Sequence, residues 1–324
     1  MLRVGIPQKR SQGGASMKVI LDTDPGIDDA LAFILLKAMP EISLQAITVT
    51  HGNTTVEKCT TNALKLVELL GMTDVPVAMG ATEPLVKTLS IAEETHGDTG
   101  LGHAVLPHPT TTIVESNAAN LIIDIVNANP GEITILCIGP VTNLALALLK
   151  DPSLRKKIKN VVSMAGTIHY PGNATPSSEY NVFCDPESFD ILLRSGIDLT
   201  IVPLDVTYQC LFTKAHIERL AGAREDVRNF IDRSTAFYME FHAEYQGIQG
   251  CAINDPLAAA ILVKPDLVKM RDYYVDIELH GDFTTAKISA DHFNATGKPA
   301  NARVAMEVDV DAFMDFFIER VKTL

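Results

Sequence analysis

Apolar runs rich in β-branched residues at 19–22, 44–50, 133–138, 161–164 and 199–203 alternate with stretches of helical apolar spacing near 30–38, 56–70, 118–127, 141–149 and 186–194. Strands separated in this way are joined by crossovers, and crossover connections make parallel neighbours. The order therefore predicts an α/β fold: an open, mostly parallel sheet flanked by helices. Residues 213–264 read as a helical segment, 272–309 as a small antiparallel strand region and 312–321 as a last helix. No repeat, low-complexity tract or Pro/Gly/Ser-rich linker divides residues 17–324. With 47% hydrophobic residues in the whole chain, this stretch predicts one domain with a deep core.

Residues 1–16, MLRVGIPQKRSQGGAS, are basic and lack the apolar centre of a secretory signal. They are expected to be a disordered extension or the product of an upstream start codon, with Met17 opening the first strand. Apolar stretches stop well short of the roughly 20 residues of a membrane span. The net charge is −13 and the Lys and Arg residues are scattered, so neither a nucleic acid nor an anionic membrane is an expected partner. Five cysteines (Cys59, Cys137, Cys184, Cys210 and Cys251) are widely spaced with no C-x-x-C pair. That argues against a disulfide framework or a zinc site and for a cytoplasmic setting.

In open α/β sheets ligands bind at the carboxyl ends of the strands. Here those ends run into polar loops: Asp22–Asp29, Thr50–Asn53, Ile138–Asn143 and Gly172–Asn181. The first is the most acidic, "DTDPGIDD", with Asp22, Asp24, Asp28 and Asp29 around a Pro-Gly turn. Any one Asp could simply cap a helix or favour its dipole. Together they would raise one another's pKa unless a cation neutralised them. Carboxylates without nearby Cys or His suit a hard divalent ion, and the lack of any phosphate-binding glycine loop favours Ca²⁺ over Mg²⁺. Asp255, in "INDPLAAAILV", is a second acidic signal at a helix start.

Taken together, "LDTDPGIDDA" at 21–30, "HGN" at 51–53, "HGDTG" at 96–100, "GPVTNLA" at 139–145, "GNATPSSEYN" at 172–181 and "NDPLA" at 254–258 resemble the inosine-uridine preferring nucleoside hydrolases. The resemblance runs from about residue 18 to the C-terminus. It implies a Rossmann-like sheet, one Ca²⁺, and hydrolysis of the N-glycosidic bond of ribonucleosides to ribose and free base. By position it implies Asp24, Asp29, the backbone carbonyl of Ile138 and Asp255 as metal ligands, with Asp22 in support. Asp24 would also be the general base toward a Ca²⁺-bound water. Asp28, Asn53, Met164, Asn173, Glu179 and Asn181 would hold the ribose, and the family's assembly as homodimers or homotetramers would extend to this chain. The residue types suit the chemistry. An acidic pocket stabilises an oxocarbenium-like transition state, and amides offer both donors and acceptors to hydroxyls.

The resemblance fails at one point. Where several members have a His that protonates the departing base, this chain has Asn254, which is no acid at neutral pH. His96 is the expected substitute, assisting departure or orienting the base. Phe241 and Tyr245, four apart on a predicted helix, are expected to face the base, with the adjacent His242 in reach. The chain has no Trp, which excludes the Trp-stacking arrangement of the purine-specific branch and favours pyrimidine or mixed specificity. Two competing readings stand beside this one. "ILDTD" also imitates the nucleophile motif of haloacid-dehalogenase-type phosphatases, although Gly26 stands where that motif wants Thr or Val. Asn254 also allows a Ca²⁺-dependent nucleoside-binding protein without turnover.

Overall fold

The computed structural model describes residues 16–324. Of the expected N-terminal extension, residues 1–15 therefore lie outside the described residues. The central sheet has eight strands: β1 (Met17–Thr23), β2 (Ile42–Val49), β3 (Val77–Met79), β4 (Ile133–Cys137), β5 (Asn160–Met164), β6 (Leu199–Val202), β7 (Val268–Tyr273) and β8 (Ala302–Val308). Their spatial order is β3-β2-β1-β4-β5-β6-β8-β7. Every neighbouring pair is parallel except β8 with β7, which closes one edge antiparallel.

Alternation along the strands divides the core in two. Val19 and Leu21 of β1 and Leu136 of β4 enter one apolar cluster, whereas Ile20, Ile135 and Cys137 enter the other, because successive side chains leave opposite faces of a strand. Helices α1 (Ile27–Lys37) and α2 (Val56–Leu69) cover the first face. Helices α3 (Ala118–Ala128), α4 (Thr142–Lys150) and α5 (Pro186–Leu193) cover the second. Helix α1 is buried from Ile27 to Leu36, so its apolar residues need no polar stripe.

The helical segment includes α6 (Glu225–Phe241), one π-helical turn over His242–Gln246, and the buried helix α7 (Asn254–Ala260), which packs on α1. The last helix, α8, spans Val310–Val321. The C-terminal strands form the expected antiparallel region, and one of them also reaches the parallel part of the main sheet. Strand β8 joins the main sheet parallel to β6, Arg303 opposite Thr200, and only its other edge pairs antiparallel with β7. Val275–Ile277 and Ile288–Ala290 make a separate antiparallel pair. Strand β3 escaped the sequence reading because three residues carry too little periodicity. No helix of the described residues is long and apolar enough to cross a membrane.

The sheet order reverses between β1 and β4. At such a switch point the connections leave to opposite faces, opening a crevice above the strand ends. The Asp22–Asp29 loop and the Ile138–Asn143 loop flank this crevice.

Candidate active site

Strand β1 carries Asp22, the turn just past its end carries Asp24, and the first turn of α1 delivers Asp28 and Asp29; all four are buried. Helix α7 enters from the other side of α1 and carries Asp255 in its first turn, also buried. Oxygen atoms of Asp28, Asp29 and Asp255 lie within 4.8 Å of one another.

Each carboxylate has a distinct set of partners. Asp29 accepts from the Thr23 hydroxyl at 2.5 Å, the Gly26 amide at 3.0 Å and Asn53 Nδ2 at 2.8 Å, which ties the helix start to the strand end. Asp24 Oδ2 accepts the Asn53 amide proton at 2.7 Å, while its buried Oδ1 has no partner. Asp22 Oδ1 accepts from Thr48 at 2.6 Å and Asn143 Nδ2 at 2.8 Å, so Asp22 links β1 to β2 and α4 beneath the site.

Backbone shape accommodates Asp24 closely. A Cβ on Gly139 would lie 2.3 Å from Asp24 Oδ1, and one on Gly52 would lie 2.0 Å from Oδ2. Gly52 also has φ of 153°, a conformation side chains rarely adopt.

Electrostatics show what the cluster lacks. Burial pushes Asp22 up to about 7, and Asp29 to about 7 with help from the Asp28 charge. Burial and then the Asp29 charge hold Asp24 well above the usual carboxylate range. Asp255 is held there by burial and by Asp28, Asp29 and Asp24. None of the ion pairs among the described residues includes one of these groups. Buried like charges without a counter-charge are expensive, and an all-oxygen donor set with an unpaired Asp24 Oδ1 fits a hard cation. The Ile138 carbonyl accepts from Asn181 Nδ2 at 3.0 Å and keeps a second lone pair.

A solvent-open cavity lies above the cluster. Asp28, Asn53, Ile138, Asn254 and Asp255 form its floor side, and Met164, Asn173, Glu179 and Asn181 contribute the wall from β5 and the following loop. Most of these amides are already oriented. Asn53 Nδ2 also donates to the Asp24 carbonyl at 3.0 Å, and Asn254 Nδ2 donates to Asp28 Oδ2 at 2.8 Å. Asn173 Oδ1 accepts the Tyr180 amide proton at 2.9 Å. Glu179 caps a short helix, accepting the amide protons of Gly166, Asn181 and Val182, and burial still raises it to about 7. Asp24, Asp29 and Asp22 lie below the wall rather than in it.

The far wall is aromatic: His96, Tyr208, Tyr238, Phe241 and His242. His96 stands 5.4 Å from Tyr238 and Tyr238 stands 4.4 Å from His242, centroid to centroid. Phe241 is in this wall, but Tyr245 is 66% exposed and stands outside it, stacked on Phe241 at 4.9 Å. The π turn beginning at His242 is the reason. It adds a residue to the turn, so the spacing of a regular helix no longer sets the facing side chain, and Gln246 lines the cavity instead. Tyr208, Tyr238 and Gln246 were missed from sequence, since no motif marks them.

A family model described as inosine-uridine preferring nucleoside hydrolase matches residues 19–315. The pyrimidine-specific ribonucleoside hydrolase RihA of Enterobacter sp. (strain 638) is 37% identical over 307 residues, covering 94% of this chain and 98% of that protein. RihA of Shewanella sp. (strain ANA-3) is 38% identical over 305 residues, covering 94% and 96%. Among solved structures, a plant nucleoside hydrolase superposes with a TM-score of 0.89 at 31% identity, covering 96% of this chain and 100% of that one. The purine-preferring ribonucleoside hydrolase from Gardnerella vaginalis gives 0.88 at 31%, covering 94% and 98%. This match displaces the phosphatase reading of Asp22 and Asp24. The chain belongs to the inosine-uridine preferring nucleoside hydrolase family and is a hydrolase acting on N-glycosyl compounds.

Proposed function

We propose that the protein hydrolyses pyrimidine ribonucleosides to ribose and free base, with Asp24 as the general base. The observation that carries this reading is the unpaired, buried Asp24 Oδ1 beneath an amide-lined, aromatic-walled cavity that Asp28 and Asp255 line. The pyrimidine preference rests on the RihA relatives and on the lack of Trp. Asp24, Asp29, Asp255 and the Ile138 carbonyl would hold the metal, which we take as Ca²⁺. When bound, such an ion neutralises the carboxylates and makes a neighbouring water more acidic.

Asp24 takes the proton of the water that attacks the anomeric carbon. Its desolvated carboxylate is a stronger base than one in water. Asp28, braced by Asn254, and Asn53, whose Nδ2 is committed and whose Oδ1 is free, bind ribose hydroxyls together with Met164, Asn173, Glu179 and Asn181. The acidic floor stabilises positive charge on the ring in the transition state. His96 is held by the Ile27 amide, which donates to Nδ1 at 3.1 Å, so its own proton sits on Nε2 and can orient the base. Phe241 and Gln246 contact the base, and Tyr245 supports Phe241 from outside.

We further propose residues 17–324 as one domain and a cytoplasmic homodimer or homotetramer. The test is release of free base from uridine, cytidine, inosine and adenosine, with p-nitrophenyl phosphate as control. Chelator-sensitive release, fastest from uridine or cytidine, is expected. Nucleoside binding without release would favour a sensing protein, and faster release from inosine would overturn the base preference.

A further inference from the structure

The cavity wall holds two histidines, and their hydrogen bonds give them opposite proton arrangements. His96 Nδ1 accepts a backbone amide proton, so adding a second proton to its ring would set two donors against each other. In His242, Nδ1 lies 2.8 Å from the Tyr238 carbonyl one helical turn back, and a carbonyl can only accept. The Nδ1 proton is thereby fixed in both protonation states, and Nε2 is the atom that titrates. That Nε2 is buried and without a partner, on a ring that is 1% exposed and lines the cavity. A buried nitrogen left unpaired is costly unless a ligand completes it.

We propose that His242 is the acid that protonates the departing base, standing in for the missing histidine at Asn254; this rests on the nucleoside hydrolase reading above. As the bond between the anomeric carbon and the base nitrogen breaks, its electron pair moves into the base. Nε2–H of the imidazolium delivers its proton to the base, and the water supplies hydroxide to the anomeric carbon and its proton to Asp24. The proton returns from Asp24 to His242 through solvent, so one water is consumed per turnover. The groups facing His242 are Asp28, which favours the protonated ring, His96, and the phenols of Tyr208 and Tyr238. Burial works against protonation and makes the imidazolium a stronger acid than a free one. Asn254 is committed to Asp28 and is free of this task.

The experiment compares uridine with p-nitrophenyl β-ribofuranoside, whose leaving group departs without a proton. His242→Gln is expected to lower kcat on uridine roughly a hundredfold or more while changing the p-nitrophenyl reaction by less than about fivefold. Equal losses on both substrates, or none on uridine, overturn the assignment. The wild type supplies a test independent of folding. An alkaline fall in kcat on uridine, absent with the p-nitrophenyl substrate, is expected, and identical pH profiles overturn the proposal. A wild type that cleaves neither substrate would instead sink the hydrolase reading itself.

Discussion

Asn254 Nδ2 donates to Asp28 Oδ2 at 2.8 Å, joining the first turn of α7 to the first turn of α1 across 226 residues of sequence. A bond to a charged acceptor is worth about 1.5–3 kcal/mol. Asn254→Ala is therefore expected to release Asp28 and reduce kcat/KM on uridine by roughly tenfold to a hundredfold, most of it in KM. Steady-state kinetics check this, and an unchanged KM would show that Asp28 does not rely on the amide.

Asp24→Asn retains the shape of the side chain and removes one of the crowded charges. The variant is expected to be inactive, and its thermal midpoint should no longer rise when Ca²⁺ is added. In the wild type, ion at a hundred times its Kd should stabilise the fold by about 2.7 kcal/mol. With chelator present, the variant should unfold at a higher temperature than the wild type, because one buried like charge is gone. Calorimetry with and without chelator reads both effects.

Gly139→Ala tests the fit around Asp24. The added Cβ would lie 2.3 Å from Asp24 Oδ1, so the carboxylate must move. Overpacking of this kind costs about 1–3 kcal/mol of stability. Activity should fall much further, by roughly a hundredfold, since the base loses its placement. A variant with normal kcat would show that Asp24 tolerates displacement.

Two buried histidines make the fold sensitive to acid. Burial lowers His96 to about 3 and His51 to about 4, both from 6.5. Between those values and 6.5 the unfolded chain binds protons that the native state refuses. Their contribution is complete above pH 6.5 and lost as pH falls toward the folded values, at roughly 1.4 kcal/mol per pH unit for each. The buried carboxylates act in the opposite direction. With folded values near 7 for Asp22 and Asp29, their contribution is present below the unfolded value and lost as pH rises through 7. The test is thus a difference: His51→Gln should flatten the slope of urea stability between pH 6.5 and 5 relative to the wild type. Parallel slopes would mean that His51 is already protonated in the fold.

Much of this molecule is local in origin and so legible in one dimension. Strand and helix periods are properties of neighbouring residues, and β1, β4 and β5 follow from apolar runs bounded by turns. The crowding of Asp22, Asp24, Asp28 and Asp29 is likewise a local fact, from which a need for a cation follows by Coulomb repulsion alone. Metal and ribose candidates from Asp28 to Asp255 line or underlie one cavity because strand ends in a parallel sheet share a rim.

Tertiary structure decided what depends on distant contacts or on hydrogen-bond direction. Strand β8 could join β6 in parallel only once the intervening chain had crossed the sheet, and no local pattern records that. Tyr245 left the cavity wall because one π turn changed the facing of a helix, a shift invisible to residue spacing. The chemical difference between His96 and His242 also lay outside the sequence. Identical imidazoles differ there because one Nδ1 meets a backbone donor and the other a backbone acceptor.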